Sequence, residues 1–113
     1  MIELICRKTC SKCRAAVALL DAKGAEYRYR EYTEEPLSEA ELREVLGKLG
    51  LGPRDILRTG DKAYQEVGPL DDATDDALIE TMVAHPTLIQ RPIGVLGDRA
   101  VVGRPPENLL ELL

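Results

Sequence analysis

Ile2 to Ile5 form a short apolar run that ends in a basic, cysteine-containing loop, Cys6-Arg7-Lys8-Thr9-Cys10, and this pattern predicts a buried first strand. From Ser11 the period becomes helical, with Ala15, Ala16, Leu19 and Leu20 on one face, and Lys23-Gly24 closes the helix with a cation and a glycine. Tyr27, Tyr29 and Tyr32 then stand among charged residues between Glu26 and Tyr32, which predicts a second strand. The first third of the chain therefore reads β-α-β, with a pair of cysteines at the first strand-to-helix turn.

Glu34-Glu35-Pro36-Leu37 is a turn. Ser38 followed by Glu41 is a capping-box signature for a helix from Glu39 to Leu49, which Gly50-Leu51-Gly52-Pro53 ends. Pro53 to Arg58 reads as a short helix with proline at its first position, and Gly60 to Val67 as another. Thr74 caps Asp75 to Ala84, whose stripe of Leu78, Ile79, Met82 and Val83 stops at His85-Pro86, so residues 38 to 86 read as helical throughout. Ile93 to Leu96 and Ala100 to Val102, joined by Gly97-Asp98, predict a hairpin; Gly103-Arg104-Pro105-Pro106 opens a last helix from Glu107 to Leu113.

The resulting order predicts an α/β fold: a thioredoxin-like, glutaredoxin-like mixed sheet with a helical insertion at about residues 36–88, between the second and third strands. Length supports one such domain over residues 1–113. The core must come from Leu, Ile, Val and Ala, because Phe and Trp are absent. A net charge of -5 argues against direct nucleic-acid binding or affinity for anionic membrane, so any anion site must be a local cluster of arginine. No apolar run is long enough to span a membrane, and the N-terminus lacks the basic and apolar regions of a signal peptide. A cytoplasmic protein is the expectation.

Against that acidic background Arg7, Lys8, Lys12 and Arg14 surround Cys10 and Cys13 without an intervening acid. A thiol acts as a nucleophile only as thiolate, and its free pKa near about 8.5 leaves it mostly protonated at neutral pH. Cys10 is expected at a helix N-terminus, where unpaired N–H groups and neighbouring cations favour the anion. Cys13, one turn further on, is placed to close a redox-active disulfide with it. Inert core thiols are the bland alternative, but they have no need of four cations. Zinc is disfavoured because a second ligand pair is missing and the single histidine, His85, is explained by the helix end it marks. Cys6 reads equally as a core thiol and as an auxiliary one. Arg58, Arg91 and Arg104 each stand at a break in structure, and in the expected fold the residue before the proline of the third strand faces the thiol. Arg91 is therefore expected to reach a ligand at Cys10, where guanidinium forks suit a tetrahedral oxyanion.

Thr9-Cys10 with Arg14, Ile56-Leu57-Arg58, His85-Pro86-Thr87-Leu88-Ile89-Gln90-Arg91-Pro92-Ile93 and Gly103-Arg104-Pro105 together resemble the glutaredoxin-coupled arsenate reductase (ArsC) family, whose relatives include the Spx and YffB-like proteins. The resemblance implies that Cys10 attacks arsenate, that Arg58, Arg91 and Arg104 hold the oxyanion with Arg14 nearby, and that the Arg91-Pro92 bond is cis. It also implies no bound cofactor, with glutathione and glutaredoxin, or thioredoxin, as reductant. Two positions depart from the pattern. Cys13 is similar to the second cysteine of the Spx regulators and opens an internal route of recycling, and Cys6 stands where such reductases carry a histidine. The chain also ends at Leu113, short of the longer tail of typical family members. Two other readings stay open: an Spx-like redox regulator that binds the RNA polymerase α subunit, and a general thiol-disulfide oxidoreductase.

Overall fold

Strand alternation in β1 (Ile2–Cys6) sends Ile2, Leu4 and Cys6 to one side of a sheet, and all three are buried there. The computed structural model describes all residues from Met1 to Leu113. It resolves into two compact units, residues 1–35 with 91–113, and residues 36–90. In the first unit β1 pairs in parallel with β2 (Tyr27–Glu31), which sets Cys6 opposite Glu31. On its other edge β1 pairs antiparallel with β3 (Ile93–Leu96), which pairs antiparallel with β4 (Arg99–Val102). The order β2-β1-β3-β4 is a mixed sheet of the thioredoxin-like kind expected, with the helical segment between its second and third strands.

Helix α1 (Ser11–Ala22) covers the Ile2-Leu4-Cys6 face. Its buried residues are Cys13, Ala16 and Leu20, so the inward stripe is rotated from the predicted one: Ala15 is exposed and Cys13 takes part in the core. Lys23 caps the helix and Gly24 takes the left-handed conformation (φ 66°) that returns the chain to β2. The predicted last helix is a 3-10 helix, Pro106–Leu112. Three residues per turn put Leu109 and Leu112 on one side, and both are buried against the same core as α1. This approach is close: a β-carbon at Gly94 would lie 2.6 Å from Leu109 Cδ2 and 3.0 Å from Leu112 Cδ1.

The second unit holds α2 (Glu39–Leu49), a 3-10 helix (Pro53–Ile56), α3 (Lys62–Val67), α4 (Asp75–Ala84) and a further 3-10 turn (Pro86–Leu88). The capping box forms as read: Glu41 N donates to Ser38 Oγ at 3.1 Å and Ser38 N to Glu41 Oε1 at 3.0 Å. Pro53 opens a 3-10 turn, Asp61 caps the helix predicted from Gly60, and Thr74 caps α4. Helix α4 packs on α2 and on both 3-10 segments. The segment is not helical throughout, because Leu57 and Ile89 pair as an isolated antiparallel bridge. None of the helices is long and apolar enough to cross a membrane.

Gly94→Ala overpacks a contact that has no spare volume, and a urea titration should show a loss of about 1–3 kcal/mol. Gly47 is exposed inside α2, and a β-carbon there would meet nothing within 4 Å, so Gly47→Ala should instead be neutral or stabilising.

Candidate active site

The cysteine loop is fixed from both ends. Cys10 N donates to Arg7 O at 3.0 Å, Lys8 N to Glu31 Oε1 at 3.1 Å, and Arg14 N to Cys10 O at 3.1 Å. Cys10 occupies the N-cap position of α1 in extended backbone (φ -88°, ψ 123°), and its side chain does not cap the helix. Its sulfur instead faces residues from the far end of the chain.

Arg104 Nη2 donates to Cys10 Sγ at 3.8 Å, and Arg91 also donates to that sulfur. Arg104 is aimed by the bond from its Nε to Arg91 O, 2.8 Å, and its own carbonyl accepts from Asn108 Nδ2 at 3.1 Å. Asn108 Nδ2 also reaches Val102 O, which ties β4 to the Arg104 loop. Arg91 is buried, 6% exposed, and Nη1 donates to the hydroxyl of fully buried Tyr32 at 3.1 Å. Burial alone would lower the Arg91 pKa, yet Tyr32 and Cys10 hold the guanidinium above its ordinary value, so the cation persists. The peptide bonds before Pro92 and Pro105 are both cis.

Behind Cys10 lie two more sulfurs. Arg7 N donates to Cys13 Sγ at 3.4 Å. Hydrogen bonding by the neighbouring Cys6 thiol, then by Arg7 N and Cys10, with the field of Arg91, outweighs burial and brings the Cys13 pKa down to about 6. Cys6, at 0% exposure, is pushed far above the ordinary thiol range by the bond it donates to Cys13 and by burial. All three cysteines are free thiols. Cys6 and Cys13 form a proton-sharing set in which the proton favours Cys6 and the charge favours Cys13, with Arg104 on the neighbouring Cys10.

The first unit thus brings together Cys10, Cys13, Arg91 and Arg104. Arg58 belongs to the second unit, where Nη1 donates to Gln90 Oε1 at 2.9 Å, Nε lies 3.9 Å from Asp61 Oδ2, and its backbone N donates to Leu88 O. Arg14 is exposed on α1, with Nη1 donating to Lys8 O at 3.4 Å. What reaches Cys13 is the thiols of Cys6 and Cys10, the backbone N–H of Arg7, and Arg91. Sequence reasoning passes over Tyr32 and Asn108. Tyr32 reads as one of several strand tyrosines, and its distinguishing feature, total burial beside Arg91, exists only in the folded chain. No set of three His, Cys, Asp or Glu side chains is arranged to hold a metal ion.

The sequence is 46% identical, over 99% of this chain and 98% of that protein, to an uncharacterized protein in the glnII region of Streptomyces viridochromogenes. It is 37% identical to an arsenate reductase of Neisseria meningitidis, over 99% of this chain and 97% of that one. Among solved structures, an arsenate reductase from Vibrio cholerae superposes with a TM-score of 0.92 at 38% identity, covering 99% of this chain and 97% of that chain. The ArsC family model matches residues 6–112, nearly the whole sequence, and with relatives of this similarity along the full length the chain belongs to the ArsC family.

Proposed function

We propose that the protein is an arsenate reductase in which Cys10 is the nucleophile, Arg91 and Arg104 hold the oxyanion, and Cys13 closes the catalytic disulfide. Arg58 joins the oxyanion-binding set by its match to the family motif Ile56-Leu57-Arg58. The observation that carries this reading is the convergence of two guanidiniums on Cys10 Sγ, with Arg104 at 3.8 Å. A redox switch or a general disulfide exchanger needs the thiols but has no use for that convergence. Relatives named arsenate reductase support an enzyme role of this kind.

The chemistry follows from the proton-sharing set. As arsenate docks on the guanidiniums, Cys13 takes the Cys10 proton and passes it to an arsenate hydroxyl, which leaves as water as Cys10 sulfur bonds to arsenic, giving a sulfur-arsenic(V) ester. Arg91 and Arg104 offset the charge that builds on the arsenic oxygens. Cys13, deprotonated again, attacks Cys10 sulfur; the sulfur-arsenic electron pair goes to arsenic, which leaves as arsenite, and a Cys10-Cys13 disulfide remains. Two thiols are oxidised and one arsenic is reduced by two electrons. A thiol reductant, thioredoxin or glutathione with glutaredoxin, then restores the pair by exchange, so no bound cofactor is required.

Arsenate turnover followed with each reductant tests the roles. Cys10→Ser should fall to background, and full activity in that variant would sink the reading. Arg104→Ala should lose about 10²–10³ in kcat, as an oxyanion donor does. Cys13→Ser should lose turnover with thioredoxin as the sole reductant, while capture of the RNA polymerase α subunit without any arsenate turnover would point to a regulator instead.

The state of Cys13 is testable by ultraviolet titration of thiolate. A midpoint near pH 6 should be present in wild type and absent in Cys13→Ser. Cys6→Ala removes the donor and should move the midpoint upward, whereas Cys6→Ser keeps a donor and should keep it low. Because the shift is downward, the stability it contributes is fully present above the ordinary thiol pKa and is lost as pH falls through about 6.

A further inference from the structure

Leu57 and Ile89 face each other in the isolated antiparallel bridge of the second unit, and two backbone bonds flank it. Arg58 N donates to Leu88 O at 2.8 Å, and Gln90 N donates to Ile56 O at 2.9 Å. That register puts Arg58 and Gln90 on the same side of the pair as diagonal neighbours, about 7–8 Å apart, a gap that long side chains span. The bond between them closes: Arg58 Nη1 donates to Gln90 Oε1 at 2.9 Å, and both residues are half-buried. Asp61 approaches the same guanidinium less closely. Its Oδ2 lies 3.9 Å from Arg58 Nε, beyond hydrogen-bond length, while Oδ1 accepts from Ala63 N at 2.9 Å and from Thr87 Oγ1 at 3.1 Å. All of these residues belong to the second unit.

We infer that Gln90 is a positioning residue for oxyanion binding: its amide oxygen holds the Arg58 guanidinium in place and leaves the positive charge intact for the anion. The inference rests on the reading of Arg58 as an oxyanion-binding residue. Three observations support it. The bridge already joins the two segments through their backbones, so the side-chain bond is not needed to tie them together. The acceptor is neutral. A carboxylate at this position would also accept from Nη1, but it would offset the cation and repel an incoming anion, whereas an apolar side chain would leave a long, flexible arginine for the substrate to order. The nearby carboxylate, Asp61, has one oxygen committed to the start of α3 and to Thr87, and it keeps its other oxygen at 3.9 Å. Finally, Gln90 immediately precedes Arg91 in the chain, and Arg104 donates from Nε to the Arg91 carbonyl at 2.8 Å. Arg58 and Arg104 are thus each bonded through one N–H to one of two consecutive residues, 90 and 91.

The experiment uses the full chain carrying Cys10→Ser, so that arsenate binds without turnover. Arsenate affinity is measured by calorimetric titration, beside the urea midpoint of each variant. Arg58→Ala should weaken arsenate binding, a control that tests the reading of Arg58 by itself. Gln90→Leu should weaken it about tenfold, the worth of one lost hydrogen bond to a charged group, with a urea midpoint near that of the parent. In the Arg58→Ala background the same substitution should cost nothing further, because Gln90 acts through that guanidinium. Gln90→Glu keeps an acceptor of the same shape and adds a negative charge, so it should weaken arsenate more than Gln90→Leu does. Equal losses from Gln90→Leu with and without Arg58 overturn the inference and make Gln90 a structural tie. Full arsenate affinity in Gln90→Glu overturns it as well, and that variant carries the test if Gln90→Leu does not fold. A loss in Arg58→Ala with none in either Gln90 variant removes the positioning role alone. Should Arg58→Ala bind arsenate as tightly as its parent, the reading of Arg58 falls and the role of Gln90 with it.

Discussion

A negative charge on buried sulfur is the constraint around which the first unit is organised. An isolated thiolate under the sheet would be costly in so apolar a place. The chain meets that cost with the Cys6 thiol at the end of β1, the Arg7 N–H in the loop and the Cys10 thiol at the helix start, and with the field of the Arg91 guanidinium before β3. Arg91 is itself a buried charge and needs partners, which Tyr32 at the end of β2 and Cys10 supply. Each group in the set is placed by an element that exists for ordinary packing reasons, and each would be unfavourable without the others.

This mutual dependence explains the choice of residues around the site. Gly94 and Gly103 permit the C-terminal 3-10 helix to lie against the sheet, a β-carbon at Gly103 meeting Pro92 Cγ at 2.9 Å. Asn108, on that 3-10 helix, then holds the Arg104 carbonyl. The tight approach of Leu109 and the aim of Arg104 are thus one structural fact seen from two sides. Cys6 has a comparable double role: it fills core volume on β1 and donates to Cys13, so a thiol can stand there without being a nucleophile.

Two faces of α1 carry the cysteine-bearing residues toward different neighbours. Its N-terminus presents Cys10 to arginines carried by the C-terminal third of the chain, and its Cys13-Val17-Asp21 edge borders the β2 strand.

Much of the fold is legible in the chain because its signals are local. The apolar run Ile2 to Ile5, the Ser38-Glu41 box, Thr74 before α4 and the Gly97-Asp98 turn all act within a few residues, and each produces its element. The C-terminal segment reads as an ordinary helix, yet its 3-10 winding is set by how Leu109 and Leu112 seat on the sheet. Of the site, the sequence determined the placement of Cys10 and Cys13 one helical turn apart at a strand-to-helix turn, since that depends on spacing alone. It did not determine where the negative charge resides or what holds it. Those depend on Tyr32, Arg91 and Arg104 arriving from distant segments and on burial strengthening every hydrogen bond to sulfur, and only the tertiary structure sets either.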